Sequence, residues 1–202
     1  MDIKKYDNSP SHYSCRDQLG MDMDKYNVVH TGSPYIGRGI EKFIELCKIS
    51  NQIFFTHIGG TLDEITRLKS LAEKNRVSNC IFLSNLDEKE IIKYQKGANL
   101  LFYVITKKWP TYWCCSPLKI PEYMASGTPI LASAVGSITE FLDDENSFLF
   151  YSDNNSLKKQ LLEAKLNPKL SLHKASLARK KVEKFYTYDI RSESLIHYLN
   201  NL

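Results

Sequence analysis

Short apolar runs alternate with amphipathic segments along most of the chain from Tyr26 onward. The runs are rich in β-branched and aromatic residues, and several of them end in Gly, as strands do. The intervening segments place apolar residues every three or four positions, which is typical of a helix with one buried face. The predicted strands are YNVVHTG, QIFFTHIGG, NCIFLSN, NLLFYVI, PILAS and SFLFYS.

This alternation predicts an α/β fold, a doubly wound parallel sheet of the Rossmann type. The strands are continuously apolar, so both faces of the sheet are expected to be covered by helices. The predicted domain spans residues 27–185. Residues 1–26 are polar and aperiodic and are predicted to be an irregular lead-in, whereas residues 186–202 are predicted to form a C-terminal helix.

In a sheet of this kind, ligands bind where the carboxyl ends of the strands meet. The loops at that edge are predicted to hold most of the glycines, several cations and both Trp residues. We therefore expect the functional site among residues 31–39, 57–61, 84–87, 105–118 and 133–138.

The stretch SPLKIPEYMASGTPILAS combines a predicted helix with an unusual polar start. Pro117 suits the first helical position and Ser116 the N-cap, which leaves free amides facing the crevice. Lys119 opposes the helix dipole, so helix stability does not favour it there, whereas a bound phosphate would.

Glu122 follows within two turns of this predicted anion site. A carboxylate accepts hydrogen bonds from the vicinal hydroxyls of a ribose, so phosphate and ribose side by side suggest a nucleoside diphosphate. The alternative is a surface ion pair between Lys119 and Glu122, worth a few tenths of a kcal/mol.

Composition and charge limit the classes of ligand and partner that we expect for this chain. The formal net charge is +4 over 202 residues. This charge suits an anionic ligand or a peripheral contact with an anionic membrane, but the sequence lacks the dense basic patch of a nucleic-acid binder.

The cysteines are odd in number, without a CxxC pair or a nearby His, so we expect no metal and reduced thiols. The start of the sequence has no secretory signal, so we expect an intracellular, cytoplasmic protein, with peripheral contact at the inner face of the membrane left open.

Several motifs together resemble family 4 glycosyltransferases, which have the GT-B fold. SPLKIPEYMASGTPILAS is similar to their nucleotide-sugar-binding segment, and VVHTGSPYIGRGIEKFIELCK to the first strand, loop and helix of their C-terminal domain. AVGSITEFLDDENSFLF resembles the segment after the donor helix. The resemblance covers roughly residues 27–198 and implies a retaining transferase that uses a nucleotide-diphosphate sugar, such as a UDP-sugar, in polysaccharide synthesis.

The resemblance also implies residue roles. Glu122 is expected to hold the ribose, Arg38 to lie near the donor phosphates, and Asn85 and Leu86 to line the base. This sequence departs from the family at Cys114, where the family has a Glu, and at Ser33, where it has an Arg. The donor-binding residues implied in this way are Gly32, Ser33, Arg38, Asn85, Leu86, Cys114, Ser116, Leu118, Lys119, Glu122 and Glu140.

The length implies that only the donor-binding, C-terminal half of a GT-B enzyme is present. Acceptor recognition, of a glycan or a lipid-linked acceptor, belongs to the other half in this family. We therefore expect a separate N-terminal-domain partner, against which residues 186–202 would pack. The alternative is a non-catalytic remnant, or a subunit that completes a partner enzyme.

Two further questions stay open at this stage. His30 and His57 end neighbouring strands and either bind phosphate or, as we prefer, are structural. Trp109, Tyr112 and Trp113 either stack on a sugar or partner or anchor their loop. A dinucleotide oxidoreductase is disfavoured, because no G-x-G-x-x-G follows the first strand.

Overall fold

A parallel β-sheet with helices on both faces forms the centre of the protein. The computed structural model describes residues 1–114, 117–151 and 153–201. In this part of the chain the sheet has the strand order β3-β2-β1-β4-β5-β6. The strands are β1 Tyr26–Thr31, β2 Ile53–Ile58, β3 Cys80–Leu83, β4 Leu100–Tyr103, β5 Ile130–Ser133 and β6 Phe148–Phe150. The helices are α1 Lys4–Asp7, α2 His12–Gln18, α3 Lys42–Cys47, α4 Leu62–Lys74, α5 Glu88–Gly97, α6 Lys119–Ser126, α7 Ile138–Phe141, α8 Asn154–Leu166, α9 Pro168–Phe185 and α10 Tyr188–Asn200.

The predicted doubly wound fold is confirmed, and every predicted strand is present. All strand pairs in the described sheet are parallel, from β2–β3 at one side to β5–β6 at the other. The strand order reverses between β1 and β4, where ligands bind in such sheets. This places the carboxyl ends of β1 and β4 at the centre of the expected site.

Two apolar cores cover the two faces of the sheet. One contains α3, α4 and α8, and there the apolar residues Ile40, Phe43 and Ile44 are all buried. The other contains α5, α6 and α9, with Tyr123 and Met124 of α6 fully buried. Successive residues of β1 therefore contribute to opposite cores, as strand geometry requires.

Residues 1–26 are not wholly irregular, so the predicted lead-in is wrong over two short segments. The helices α1 and α2 lie against the domain, and Tyr6 and Cys15 are buried. Arg16 is buried too, and its guanidinium donates to Asn99 Oδ1 at 3.0 Å and to the carbonyl of Asp22 at 2.6 Å. Helices this short show no sequence period and are stabilised by tertiary contacts.

Helix α6 begins later than the sequence indicates. Its cap residue is Leu118, already in helical conformation, and the amide of Ile120 donates to the Pro117 carbonyl at 3.0 Å. The prediction of Pro117 as the first helical residue is therefore wrong by two positions. Ser116, the predicted N-cap, lies outside the described residues. The helix ends at Gly127, which has a left-handed φ of 71°.

Helix α10 is the least buried helix of the described chain. None of its described residues is buried, although it carries large apolar side chains. Leu195, Ile196 and Leu199 are each more than half exposed. The prediction that this segment packs on another domain stays a prediction.

Candidate functional site

The loops after β1, β2 and β3 lie against one another at the carboxyl edge of the sheet. Gly59 has a φ of +123°, and a side chain there would place its Cβ 2.7 Å from the carbonyl oxygen of Gly32. The side chain of Asn85 accepts a hydrogen bond from the amide of Gly60 at 3.0 Å. These contacts fix the rim of the crevice, and they require glycine where two backbones approach closely.

Arg38 is held at this edge by aromatic side chains. Its guanidinium carbon lies 5.6 Å from the centre of the Trp109 ring, and its Nη2 donates to the Tyr103 hydroxyl at 3.3 Å. Tyr35 stacks on Trp109 with ring centres 5.7 Å apart. Cation–π contacts of this kind hold the guanidinium while its charge is kept. Trp109 therefore anchors the loop, one of the two roles left open by the sequence.

The other aromatic residues of this loop divide between the two roles. Tyr112 is buried and packs edge-to-face against Trp113, with ring centres 4.8 Å apart. Trp113 itself is 73% exposed. Tyr112 thus anchors the loop with Trp109, whereas Trp113 offers an exposed aromatic surface beside the crevice.

Lys119 and Glu122 form the ion pair that the sequence offered as the alternative. Lys119 Nζ lies 2.8 Å from Glu122 Oε2, and the two side chains are 31% and 28% exposed. Gln95 Nε2 approaches the same oxygen at 3.5 Å. The described contacts of the carboxylate all involve Oε2. The ion pair is therefore present, and the role of Glu122 in holding a ribose stays a prediction.

A cavity of about 370 Å³ lies beside this pair. It brings together three predicted site residues: Leu86, Lys119 and Glu122. Its other walls come from elements that the sequence did not assign to the site: α1, α5 and the start of α10. The remaining lining residues are Met1, Asp2, Lys5, Tyr6, Glu88, Ile91, Ile92 and Tyr188.

His30 and His57 form a buried pair at the ends of β1 and β2. Their Nδ1 atoms lie 2.9 Å apart, and His57 Nε2 donates to the Gly59 carbonyl at 2.9 Å. Burial lowers the pKa of His57 to about 4. The pKa of His30 also lies well below its ordinary value, first because of burial and then because of the charges of His57, Arg38 and Lys119.

This arrangement fixes the tautomers of the pair. A carbonyl only accepts, so His57 carries its proton on Nε2, and its Nδ1 accepts from His30 Nδ1–H. The preferred structural interpretation of both histidines agrees with these contacts. Arg38 and Lys119 also lower the pKa of His30, so both positive charges lie near the end of β1.

The other predicted site residues are scattered around the crevice. Gly32 and Ser33 lie in the loop after β1, and Leu118 is 77% exposed. Cys114 is an exposed free thiol, and Glu140 is exposed on α7. None of these five lines the cavity beside Glu122.

A second, more apolar cavity of about 510 Å³ lies near the ends of β4, β5 and β6. Its lining includes Ile105, Lys107 and Lys108 but neither Lys119 nor Glu122. Lys107 and Lys108 belong to the loop after β4. Their place at this second cavity separates them from the Lys119–Glu122 pair.

Residues 1–114, 117–151 and 153–201 contain neither a metal-binding cluster nor a membrane-spanning helix. No group of three or more His, Cys, Asp or Glu side chains there is arranged to hold a metal ion. Within the same ranges, no helix has the length and apolar character needed to cross a membrane.

The family model described as "Glycosyl transferase-like" matches residues 52–197. The chain belongs to this glycosyl transferase-like family. The match covers most of the α/β domain, including the cavity residues Leu86, Lys119 and Glu122. The resemblance stated from the sequence is thereby confirmed at the level of the family. A search of curated proteins finds no match.

Solved glycosyltransferase structures share the fold. Sucrose-phosphate synthase from Thermosynechococcus elongatus matches with a TM-score of 0.83 and 21% identity over 100% of this chain and 51% of that one. HepE of Anabaena, in complex with UDP-glucose, matches with a TM-score of 0.81 and 20% identity over 100% of this chain and 56% of that one. WaaG, a glycosyltransferase involved in lipopolysaccharide biosynthesis, matches with a TM-score of 0.78 and 20% identity over 96% of this chain and 53% of that one. The chain thus spans about half the length of these proteins.

Proposed function

We propose that this chain is the donor-binding half of a glycosyltransferase that uses a nucleotide-diphosphate sugar. The observation that carries the proposal is the pair Lys119 and Glu122 at the start of α6, lining one cavity with Leu86. The cation suits a phosphate, and the carboxylate suits the ribose hydroxyls. Membership of the glycosyl transferase-like family supports this assignment.

Electrostatics at the strand ends also supports a diphosphate. Arg38 and Lys119 both act on His30, so their positive charges converge near the end of β1. Fixed cations beside a leaving diphosphate stabilise the negative charge that develops as the sugar is transferred. This half of the enzyme then needs neither a covalent intermediate nor a metal ion of its own.

The donor we propose to test first is a UDP-sugar, because HepE is crystallised with UDP-glucose. We propose a glycan or lipid-linked acceptor, since WaaG acts in lipopolysaccharide biosynthesis. Both choices rest on proteins that are about one-fifth identical to this chain. The acceptor would be bound by a separate N-terminal domain.

Isothermal titration of the purified chain with UDP, GDP and ADP tests the donor site. We expect one of the three to bind, and Glu122→Ala to weaken that binding by roughly 10- to 100-fold through lost hydrogen bonds to a charged acceptor. Arg38→Ala should weaken it by about tenfold. The matched control is Glu73→Ala, an exposed Glu on α4. Absence of binding to all three nucleotides would contradict the proposal.

A second function, that of a subunit completing a partner enzyme, is favoured by α10. Its described residues include exposed Leu195, Ile196 and Leu199, an unusual amount of apolar surface for a helix that meets only water. Mixing the chain with a candidate N-terminal domain and measuring the complex by size exclusion tests this role. Leu195→Glu should abolish the complex, whereas exposed Glu193→Gln should not.

A further inference from the structure

A line of buried hydrogen bonds connects α1 to Glu122. The hydroxyl of Tyr6 lies 2.6 Å from Gln95 Oε1. Gln95 Nε2 lies 3.2 Å from Thr31 Oγ1 and 3.5 Å from Glu122 Oε2. Gln95 is 0% exposed and Tyr6 is 3% exposed. Buried polar groups of this kind specify one arrangement when all of them are paired.

The direction of each hydrogen bond in this line follows from the groups that can only accept. An ionised carboxylate donates nothing, so the amide nitrogen of Gln95 faces Glu122 and its oxygen faces Tyr6. The Tyr6 hydroxyl must then be the donor, and burial raises the pKa of Tyr6 above its ordinary value and keeps that proton in place. The two protons on Gln95 Nε2 match its two acceptors, Thr31 and Glu122.

The same direction continues on the other side of Thr31. Its hydroxyl accepts from Gln95 and donates to the Tyr123 hydroxyl at 3.2 Å. Tyr123 also accepts from the amide of Thr31 at 2.8 Å, which ties the line to the end of β1. The Gln95 amide nitrogen therefore faces Thr31 and Glu122, and its oxygen faces Tyr6.

Glu122 Oε2 has two described contacts. Lys119, 31% exposed, lies 2.8 Å from it, and the buried amide of Gln95 approaches it at 3.5 Å. An ion pair at a partly exposed position is weak and mobile on its own. The buried amide supplies the fixed point that the lysine lacks, and neither described contact involves Oε1.

We propose that Gln95 is a positioning residue for Glu122, and that Tyr6 of α1 sets the orientation of Gln95. This inference rests on the proposed function and deepens it. It makes the N-terminal segment, predicted to be an irregular lead-in, part of the subsite for the ribose of a nucleoside diphosphate. Tyr6 also lines the same cavity as Glu122 and Leu86.

The test compares UDP with 2′,3′-dideoxy-UDP, which lacks the hydroxyls that Glu122 would accept from. We expect the wild-type chain to bind UDP roughly 10- to 100-fold more tightly than the dideoxy compound. Gln95→Met, which keeps length but removes both polar groups, should reduce this ratio to about threefold or less. Tyr6→Phe removes a single hydroxyl and should reduce the ratio by about threefold.

A matched control separates positioning from loss of stability. Thr128 Oγ1 donates to the Gln95 backbone carbonyl at 2.8 Å and is equally buried, but it does not touch the amide. Thr128→Val should lower the melting temperature much as Tyr6→Phe does and leave the UDP ratio unchanged. If Gln95 and Tyr6 acted through stability alone, the UDP ratio would change together in all three variants.

The outcomes distinguish this inference from the proposed function. If the wild-type chain binds UDP and the ratio is unchanged in both Gln95→Met and Tyr6→Phe, the positioning role is wrong while the donor site stands. If Gln95→Met fails to fold, Tyr6→Phe alone decides, because it removes only one oxygen atom. If the wild-type chain binds GDP or ADP in place of UDP, the same comparison is made with that nucleotide and its 2′,3′-dideoxy form. If it binds none of UDP, GDP and ADP, the donor site and the positioning role are both overturned.

Discussion

Two consecutive residues at the end of β1, His30 and Thr31, begin two different polar networks on opposite faces of the sheet. His30 contacts His57, which donates to the Gly59 carbonyl. Thr31 contacts Tyr123 and Gln95, and Gln95 reaches Glu122. The first network ends on a backbone carbonyl, and the second reaches the candidate site.

The difference shows that burial and polarity at the functional edge do not by themselves identify a site. Burial lowers the pKa of both histidines, yet the described hydrogen bonds of the pair are satisfied within the loop it supports. On the threonine side, burial raises the pKa of Tyr6 and of Tyr123 above the ordinary value. The connection of this side to a partly exposed carboxylate is what links it to the proposed chemistry.

The largest expected effect comes from a backbone change on the histidine side, which is the network of His30, His57 and the Gly59 carbonyl. Gly59→Ala should lower the free energy of unfolding by about 3 kcal/mol or more, because the residue has a φ of +123° and its Cβ would lie 2.7 Å from the Gly32 oxygen. Urea denaturation measures this change. Gly20→Ala is the control, since its φ is +60° and nothing lies within 4 Å of its Cβ, so only about 1 kcal/mol should be lost. Equal losses in the two variants would mean that the close approach of the loops costs nothing.

The second effect is pH dependence, which should come from the histidine side only. The folded-state pKa of His57 is about 4, below the value of about 6.5 for an unfolded histidine. The contribution of the pair to stability is therefore fully present above pH 6.5 and is lost as the pH falls toward 4. The slope should reach about 1.4 kcal/mol per pH unit for each histidine.

Denaturation at several pH values, with a variant that removes one imidazole, measures this slope. His57→Phe should flatten the profile between pH 4 and 6.5, because only one buried histidine remains to be protonated. The exposed His173→Asn should leave the profile as it is in the wild type. An unchanged slope in His57→Phe would assign the pH dependence to other groups.

A smaller effect is expected on the threonine side. Tyr123→Phe leaves the buried amide of Thr31 without its partner and should lower the free energy of unfolding by about 1–2 kcal/mol. Burial raises the pKa of Tyr123, so it is neutral at pH 4–7 and the loss should be the same throughout that range. Tyr13→Phe, at a position 71% exposed, is the control and should change stability by less than about 0.5 kcal/mol. If the loss of unfolding free energy in Tyr123→Phe grew as the pH falls, the two networks would be coupled to each other.

The smallest effect on stability is expected at the ion pair itself. Lys119→Met should change the free energy of unfolding by less than about 1 kcal/mol, since the pair is partly exposed. It should nevertheless weaken UDP binding by several fold in the titration. Lys181→Met breaks a comparable pair, with Asp143 at 3.0 Å, and should leave UDP binding unchanged. Equal UDP affinities in the two variants would contradict the proposal that Lys119 binds the phosphates.

Much of the candidate site could be predicted because its residues are close in sequence or follow the strand ends. Lys119 and Glu122 lie one helical turn apart, and the edge at which Leu86 meets them follows from the parallel order of strands. The start of α6 was misplaced because Ser-Pro is a good helix start locally, whereas Leu118 caps the helix in the folded chain. Caps are decided within one or two residues by packing.

The roles of Tyr6 and Gln95 could not be predicted, since they depend on contacts across long sequence separations. Tyr6 and Gln95 are 89 positions apart, and the sequence around Tyr6 is polar and aperiodic. Gln95 stands on a helix that begins with the exposed polar residues Glu88, Lys89 and Glu90, so nothing local distinguishes it. Side chains of this kind gain a function only from the neighbours that folding gives them.

The sequence by itself determined the order of strands and helices from Tyr26 onward, the parallel sheet and the edge at which sheets of this kind bind ligands. These properties follow from apolar periodicity, which depends on residues a few positions apart. Only the tertiary structure decided that His30 turns to one core and Thr31 to the other, with different partners in each. It also decided that α1 reaches Glu122 through Gln95, because hydrogen bonds between distant segments depend on distances of a few tenths of an ångström, which no local pattern encodes.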